Sequence, residues 1–538
     1  MNEIIIKNTN ENFTEIIQTI LQNVENDTVI TFEKGTYNFF EQGTYTGIFH
    51  PSNNASGEKK VVFYISGKKN ITIKGNGSKF LFRERVFPFI IENSENITFE
   101  DFNIDFSFTT FCETTVEKVY ENGLELKCLQ KDLDLTSSSE GELLLRSGNN
   151  QYSNAIKRYF ISNRNNNRGK YFETPSNEES KEGLPAPIMV AKTKVNGNNI
   201  YIECCENSQV LECSIGDKII ISFDQNREND VFFADRVKDF CVDSVNIFRG
   251  AGMGVISQMC ENVTVQNCCF AAGMHEHESF ALTADDLMFV QCCGKVIIKN
   301  NIICDSLDDA INIHGTYTRI KNIISENEIE VEFCQKEQGC TGFCEAGDVL
   351  IVSDGESYSE KCAIEVASAK MISDRLANII LKKQLMNKVK IGDLLENQQR
   401  SPEVEISGNF IKSCPNLRIS SAKPIKIENN TIAATWCGLV IADLMQYWYE
   451  SGKVYNVIVK NNTFCDITPL GKVNGITIFH SKGEKNEGYH ENISIIDNKF
   501  VLKDGTAIKA ENVKNFEMRG NRVNTEKVSD LINVYFKE

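Results

Sequence analysis

The chain has 538 residues, of which 41% are hydrophobic and 9% aromatic, so it can bury a large core and form more than one domain. Its 57 basic residues stand against 74 acidic ones, a formal net charge of −17. That balance argues against nucleic acid or an anionic membrane surface as a partner, since both reward clustered lysine and arginine. A neutral ligand suits the charge better than a polyanion.

The sequence contains no apolar run of 18 residues, so we expect no transmembrane helix. The first residues, Met1 to Asn8, lack the basic and apolar regions of a signal peptide. We therefore expect a cytoplasmic protein, or a secreted or periplasmic one if a leader has been removed. Most of the nineteen cysteines lie inside apolar strand patterns, as Cys268 and Cys269 do, which favours reduced thiols packed as small apolar residues.

The first predicted element is an amphipathic helix from about Glu11 to Val24. Its apolar positions recur at helical spacing and comprise Phe13, Ile16, Ile17, Ile20, Leu21 and Val24. Strand-like segments follow it. We predict that the helix caps an open end of the strand structure that begins there.

A strand repeat then extends over most of the chain. Each copy has two or three alternating apolar residues followed by a short polar step that usually contains Asn. The copies begin at Ile71, Ile97, Phe240, Val263, Val296, Val404, Ile425, Val457, Ile493 and Phe516. Close copies are about 21 to 26 residues apart, a period typical of a solenoid.

An all-strand solenoid of this period is a parallel β-helix, in which each coil bonds to the next. Asn suits the bend after each strand because it tolerates the left-handed region and can bond to its counterpart on the next coil. A β-sandwich would instead show hairpins and no constant period. We predict a right-handed parallel β-helix.

Two stretches interrupt the repeat, and both are rich in strand-like alternation. We interpret them as inserted β modules, which in repeat proteins tend to build the binding face. The predicted parts are 1–108 with the cap and first coils, 109–230 as the first module, 231–316 as the central coils, 317–400 as the second module, and 401–538 as the C-terminal coils.

Two acidic pairs stand out in the central coils: Asp285-Asp286 and Asp308-Asp309, 23 residues or one coil apart. Stacking would place them on neighbouring coils, and within an extended pair one side chain would point inward and the other outward. Acids this close favour one protonated and one ionised carboxyl, the equipment of a glycosidase. Solvated surface acids are the alternative.

The segment from Asp308 to Tyr317, DDAINIHGTY, resembles the signature of glycoside hydrolase family 110, the α-1,3-galactosidases that include blood-group-B-antigen-cleaving enzymes. Further pieces resemble the same family in the same order: Gly252 to Gln258, Ala284-Asp285, and Trp448 to Gly452. The resemblance covers nearly the whole chain from Lys34 onward.

The resemblance implies a β-helix with β-barrel-like inserts, exo-action on terminal α-1,3-linked galactose, and inversion at the anomeric carbon without a metal or other cofactor. Asp285 resembles the general acid. Asp308 and Asp309 resemble the pair that positions or activates the water, and which of them is the base stays open. Inversion requires an acid and a base about 6.5–9.5 Å apart.

Other residues are weaker candidates for substrate binding. Asn312 and His314 share one strand face next to the acidic pair and could bond sugar hydroxyls. Tyr317 could line the pocket or begin the second module. Trp448 could stack on a sugar face or serve packing, and Glu450 could bind hydroxyls or lie solvated on the surface.

His275 and His277, with glutamates beside them, could suggest a metal site, but a solvated loop is favoured because i,i+2 histidines alone are a weak signal. The leading function is an inverting exo-α-galactosidase that acts on an oligosaccharide or glycoconjugate. The alternatives are a β-helix hydrolase or lyase acting on uronate polysaccharide, and a non-catalytic glycan-binding β-solenoid. The oligomeric state, a homo-oligomer included, stays open.

Overall fold

We analysed a computed structural model of the chain. It describes residues 2–8, 11–130, 133–147, 150–153, 158–163, 168–172, 190–204, 214–223, 229–273, 275–339, 342–385, 387–412, 414–445, 447–466, 473–480, 488–503, 505–524 and 528–537.

The elements follow in chain order. The N-terminal part contains β1 (Asn2–Ile6), α1 (Thr14–Asn23), β2 (Thr28–Phe32), β3 (Thr36–Phe39), β4 (Tyr45–Phe49), β5 (Gly57–Ser66), β6 (Lys69–Phe82), β7 (Phe87–Glu92) and β8 (Glu95–Phe106). The first module contains β9 (Phe111–Tyr120), β10 (Gly123–Cys128), β11 (Asp134–Ser137), β12 (Leu143–Ser147), β13 (Asn150–Ser153), β14 (Arg158–Asn163), β15 (Arg168–Phe172), β16 (Val190–Asn196), β17 (Asn199–Cys204) and β18 (Lys218–Ser222).

The central coils contain β19 (Phe232–Asp235), β20 (Lys238–Ile247), β21 (Val255–Gln258), β22 (Glu261–Gln266), β23 (Cys269–Phe270), β24 (Leu287–Val290), β25 (Cys293–Lys299), β26 (Ile302–Cys304) and β27 (Ile311–Ser325). The second module adds β28 (Glu328–Phe333), a 3₁₀ helix (Lys336–Gln338), β29 (Val349–Ser353), β30 (Glu360–Met371), β31 (Leu376–Leu381) and β32 (Leu394–Asn397).

The C-terminal coils contain β33 (Glu403–Ser407), β34 (Phe410–Lys412), β35 (Leu417–Ile419), β36 (Ile425–Glu428), β37 (Thr431–Ala434), β38 (Cys437–Asp443), β39 (Glu450–Ser451), β40 (Tyr455–Lys460), β41 (Thr463–Asp466), β42 (Asn474–His480), β43 (His490–Ile496), β44 (Lys499–Val501), β45 (Ile508–Arg519), β46 (Arg522–Val523) and β47 (Ser529–Phe536).

The coils stack into a right-handed parallel β-helix with three faces, as predicted. The first face runs through β2, β6, β8, β20, β22, β25, β33, β36, β40, β43 and β45. The second face runs through β3, β6, β8, β20, β23, β26, β34, β37, β41, β44 and β46. The third face runs through β5, β7, β19, β21, β24, β27, β35, β38, β42 and β45.

The repeat forms the core of the first face. The ten apolar residues that begin the predicted copies pair coil by coil in one column, from Ile71 beside Ile97 to Ile493 beside Phe516. All ten are at most 1% exposed. Burial of this column, rather than local propensity, fixes the register of the coils.

The bend after these strands carries a ladder of buried asparagine side chains. In order, the ladder contains Asn301, Asn409, Asn430, Asn462, Asn498 and Asn521, and each Nδ2 donates to the Oδ1 of the next at 2.9–3.1 Å. The residue before each ladder position has positive φ, for example 57° at Asn429 and 55° at Asn461. The predicted left-handed bend and coil-to-coil bond thus fall on two successive residues.

The predicted capping helix covers the open edge of β5. Phe13, Ile17 and Leu21 join the core through its buried side. Gln18 Nε2 donates to the carbonyl oxygens of Val61 and Val62 at 2.9 and 2.7 Å, so edge groups of β5 are satisfied. No helix within the described ranges has the length and hydropathy that crossing a bilayer requires.

The first module is antiparallel. Seven strands pair in the order β15-β14-β18-β9-β10-β17-β16, and β11, β12 and β13 form a smaller sheet. The outer strands β15 and β16 have no further pairing among the described residues. The module leaves the helix between β8 of the second face and β19 of the third.

The second module is a closed antiparallel barrel. Starting from the far half of β27, the pairing runs through β28, β31, β30, β29 and β32 and returns to β27. The barrel has its own apolar core, which includes Ile320, Val331 and Val352. Because β27 passes unbroken from the third face into the barrel, the barrel is fixed rigidly at the end of that face. The cysteines in the described ranges all carry free thiols.

Candidate active site

The acids lie where the second face turns into the third. The first module leaves the helix at this corner, and the second module leaves at the opposite end of the third face. The outer surface of β24, β27 and β35 therefore lies between the two modules.

The register of the third face decides how the acids stack. Leu287 of β24 pairs with Ile311 of β27, a step of 24 residues, and the amide of Asp286 donates to the carbonyl of Asp309 at 3.0 Å. Asp285 consequently stands beside Asp309, and Asp308 lies one residue before it. The predicted 23-residue step was wrong by one residue, although the pairs are on neighbouring coils as expected.

The members of the Asp285-Asp286 pair face different surroundings. Asp286 is fully buried, and its Oδ2 accepts from the Cys414 thiol at 3.6 Å. Burial raises the pKa of Asp286 well above its ordinary value, so the carboxyl is neutral. Gly254 packs against the Asp286 carbonyl, and a Cβ at Gly254 would collide with that oxygen. This contact explains the glycine in the segment from Gly252 to Gln258.

Asp309 is held from the next coil. Its Oδ1 accepts a hydrogen bond from Asn416 Nδ2, and Arg418 Nε lies 3.6 Å from its Oδ2. The guanidinium balances the charge of a carboxylate that is only 8% exposed. Asp308 is more exposed, and its Oδ1 accepts from the amide of Asp309 at 3.0 Å.

Glu450 is the centre of a buried polar cluster beside the acids. Its Oε1 lies 3.5 Å from Asn312 Nδ2 and 3.6 Å from His314 Nε2, and its Oε2 lies 4.0 Å from Arg418 Nε. Asn53 Nδ2 donates to the same Oε1 at 3.3 Å. Sequence distance hid this cluster, since its members come from four separate parts of the chain.

Several buried polar atoms of this cluster have no hydrogen-bond partner among the described residues. They are Asn312 Oδ1, His314 Nε2, Arg418 Nη1 and Glu450 Oε2. Buried polar atoms are seldom left unpaired, because each loses its bonds to water without replacement. Two acceptors and nitrogens of His and Arg in one place suit a ligand that offers several hydroxyl groups.

Trp448 lies on a strained loop next to Glu450. The residues on either side, Tyr447 and Tyr449, have φ of 66° and 53°, a region that bulky side chains rarely adopt. Gln338 Nε2 of the second module donates to the Trp448 carbonyl at 2.7 Å. Strain of this kind concentrates at functional sites. The indole is half-buried, and no contact joins it to the acids.

Tyr317 lies behind the site. Its side chain is fully buried in a cluster with Tyr358, Leu394 and Tyr489, and its hydroxyl is 3.3 Å from that of Tyr489. Of the two alternatives for Tyr317, the structure therefore places it at the start of the second module. A direct contact of this side chain with substrate is wrong, because its surroundings are apolar and closed.

The segment with His275 and Glu278 fastens the first module to the coils. His275 Nε2 lies 2.9 Å from Asp105 Oδ1, and Glu278 Oε2 accepts from Arg249 Nε at 3.0 Å. Both side chains are thus engaged in ion pairs within the chain rather than solvated, which corrects the expected loop. Within the described residues, no group of three metal-binding side chains forms.

Comparison with curated proteins gives relatives along almost the whole chain. The α-1,3-galactosidase A of Bacteroides thetaiotaomicron is 27% identical over 530 residues, which cover 94% of this chain and 88% of the relative. The α-1,3-galactosidase A of Akkermansia muciniphila is 25% identical, with coverage of 89% and 79%. The α-1,3-galactosidase B of Bacteroides thetaiotaomicron is 23% identical, with coverage of 91% and 80%. The chain belongs to glycoside hydrolase family 110.

No protein-family model matches this family 110 member. Among solved structures, it is similar to the polygalacturonase of Erwinia carotovora ssp. carotovora, with 10% identity, a TM-score of 0.41 and coverage of 99% of this chain and 96% of that one. The family 28 exopolygalacturonase of Yersinia enterocolitica gives 12% identity, a TM-score of 0.38 and coverage of 99% and 78%.

Three residues of the family 110 site escaped the sequence analysis: Asn53, Asn416 and Arg418. A signal for Arg418 existed, because it pairs with Asn312 on the adjacent strand and so lies on the same outward face. Asn416, two residues earlier, follows from the same pairing. Nothing in the sequence around Asn53 indicates its position, since a loop far from the central coils carries it.

Proposed function

We propose that the chain is an inverting exo-α-galactosidase that removes terminal α-1,3-linked galactose from oligosaccharides or glycoconjugates. The observation that carries the proposal is the position of Asp285 beside Asp309, with the polar cluster of Glu450 next to them. The α-1,3-galactosidase names of the relatives support the substrate.

Asp285 serves as the general acid that protonates the leaving oxygen. Asp309 serves as the base that activates water, because Arg418 and Asn416 hold it as an oriented carboxylate. Asp308, more open to solvent, positions that water. Side chains diverging from neighbouring coils can reach the separation that inversion requires, about 6.5–9.5 Å.

The terminal sugar lies against Asn312, His314, Arg418 and Glu450. Their unpartnered atoms supply the hydrogen bonds that galactose hydroxyls need. Trp448 borders this subsite and covers the apolar face of the sugar. The charged groups here are balanced, which suits a neutral substrate.

The deciding experiment is proton NMR of the reaction with an α-1,3-galactosyl disaccharide. We expect β-galactose to appear first and then to mutarotate, since inversion of an α-linkage gives the β-anomer. Initial release of α-galactose would exclude inversion. Cleavage of polygalacturonate without cleavage of the disaccharide would favour the uronate alternative, and binding of either without cleavage would favour a glycan-binding protein.

A further inference from the structure

A short buried segment, Ser52–Asn54, crosses the outer surface of the third face. Its three side chains are 2%, 5% and 3% exposed, unusually low for consecutive polar residues of a loop. We call this segment the strap. It follows β4, the hairpin strand that lies over the apolar outer residues of the same face.

Each strap residue contacts a different part of the molecule. The Ser52 amide donates to Gln258 Oε1 of the central coils at 2.9 Å. Asn54 Nδ2 donates to Asp230, at the root of the first module. The Asn53 amide donates to the Glu337 carbonyl of the second module at 2.6 Å. The backbone at the middle of the strap is therefore fixed.

The side chain of Asn53 is oriented within this frame. The Ser52 hydroxyl donates to Asn53 Oδ1 at 3.3 Å, which leaves Nδ2 to donate to Glu450 Oε1 at 3.3 Å. Asn53 has φ of 56°, a conformation that Asn, Asp and Gly adopt with little strain. Residue type and backbone thus agree on one arrangement of the amide.

We propose that Asn53 is a positioning residue for Glu450, which it holds so that Oε1 stays within the protein and Oε2 stays directed at a sugar hydroxyl. This inference rests on the proposed function. Without the Asn53 amide, Glu450 can turn toward His314 or Arg418, which lie 3.6 and 4.0 Å away. The subsite would then lose its acceptor, while Asp285 and Asp309 would stay in place.

Asn53→Gly is the direct test, because glycine keeps the positive φ and removes only the side chain. With an α-1,3-galactosyl disaccharide, we expect KM to rise about tenfold while kcat changes less than about threefold, the pattern of lost uniform binding. The inhibition constant of galactose should rise equally. Asn461→Gly, which has φ of 55° on an exposed bend, is the matched control and should change neither value.

A double-mutant cycle tests whether Asn53 acts through Glu450. In the Glu450→Gln background, Asn53→Gly should add less than about twofold to KM, because the carboxylate it positions is already gone. A further tenfold rise there would overturn the inference and assign Asn53 a contact of its own.

Asn53→Asp provides a readout that general loss of structure would not move. The new carboxylate faces Glu450, and like charges favour a shared proton. His314 from β27 and Arg418 from β35 also face Glu450, but they are the same in both proteins. The ratio of Asn53→Asp to parent activity should therefore rise as pH falls from 8 to 5, while a flat ratio would overturn the inference even if Asn53→Gly does not fold. If the parent itself neither binds nor cleaves the disaccharide, the proposed function fails instead.

Discussion

Asp285 lies beside Asp309 on the third face of the β-helix, because Leu287 and Ile311 are in register on neighbouring coils. The two carboxyls come from consecutive turns of one solenoid, so the distance between them depends on coil stacking rather than on a flexible loop. Parallel strands about 4.8 Å apart give this arrangement its rigidity. A pair of acids with such fixed spacing suits glycoside hydrolysis.

Asp285→Asn and Asp309→Asn should each lower kcat/KM for the disaccharide by about three orders of magnitude or more. The roles can be separated with an aryl α-galactoside whose leaving group needs no proton. Asp285→Asn should recover most of its activity on that substrate, whereas Asp309→Asn should not. Equal recovery by both variants would contradict the assignment of acid and base.

Asp286→Asn should keep kcat/KM within about threefold of the parent. The carboxyl of Asp286 is fully buried and its raised pKa keeps it neutral, so an amide of the same shape replaces it with little electrostatic change. Steady-state kinetics beside Asp285→Asn makes the comparison between adjacent residues. A loss as large as that of Asp285→Asn would mean that Asp286 takes part in the reaction.

The fold could be predicted because the repeat reports directly on burial. All ten copies became one buried column, and the Asn after each strand formed either the left-handed bend or the ladder. The signal is strong since each coil repeats the same physical requirement. The acidic pairs were also found, but corner residues are not bound by strand alternation, so the register there was off by one.

The rest of the site could not be read from the sequence. Asn53, Arg418 and Glu450 meet because of loop lengths and module positions, and no periodicity encodes either. Tyr317 shows the opposite limit. It sits within the family motif, yet β27 carries it past the site and into the buried cluster with Tyr489.

Trp448→Ala should raise KM for the disaccharide about tenfold, because stacking on a sugar face contributes on the order of 1 kcal/mol or more. Trp448→Phe should lie between. The chain has only two tryptophans, so Trp436→Phe leaves Trp448 as a single fluorescent probe. Galactose should quench or shift that emission, and an unchanged spectrum at saturation would place Trp448 outside the subsite.

Asn430→Ala should destabilise the β-helix by about 3 kcal/mol or more. Asn430 Nδ2 donates to Ile406, Glu428 and Asn462, and its Oδ1 accepts from Asn409. Alanine leaves these buried partners unsatisfied, which costs more than the bonds themselves contribute. Urea unfolding measures the change, with the exposed Asn23→Ala as control. An effect below 0.5 kcal/mol would mean that water replaces the ladder.

Glu396→Gln should become more stable than the parent as pH rises. Burial raises the pKa of Glu396 from 4.5 to about 7, and the charges of Asp443 and Glu360 add to the rise. A raised carboxyl pKa means that the folded state holds its proton more tightly than the unfolded state. The stability this contributes is complete below about pH 4.5 and is lost as pH rises to about 7, a span worth about 3 kcal/mol. Glutamine cannot ionise, so the difference in Tm between variant and parent should grow between pH 5 and pH 8. The exposed Glu121→Gln should show no such trend, and a constant difference for Glu396→Gln would contradict the assigned proton.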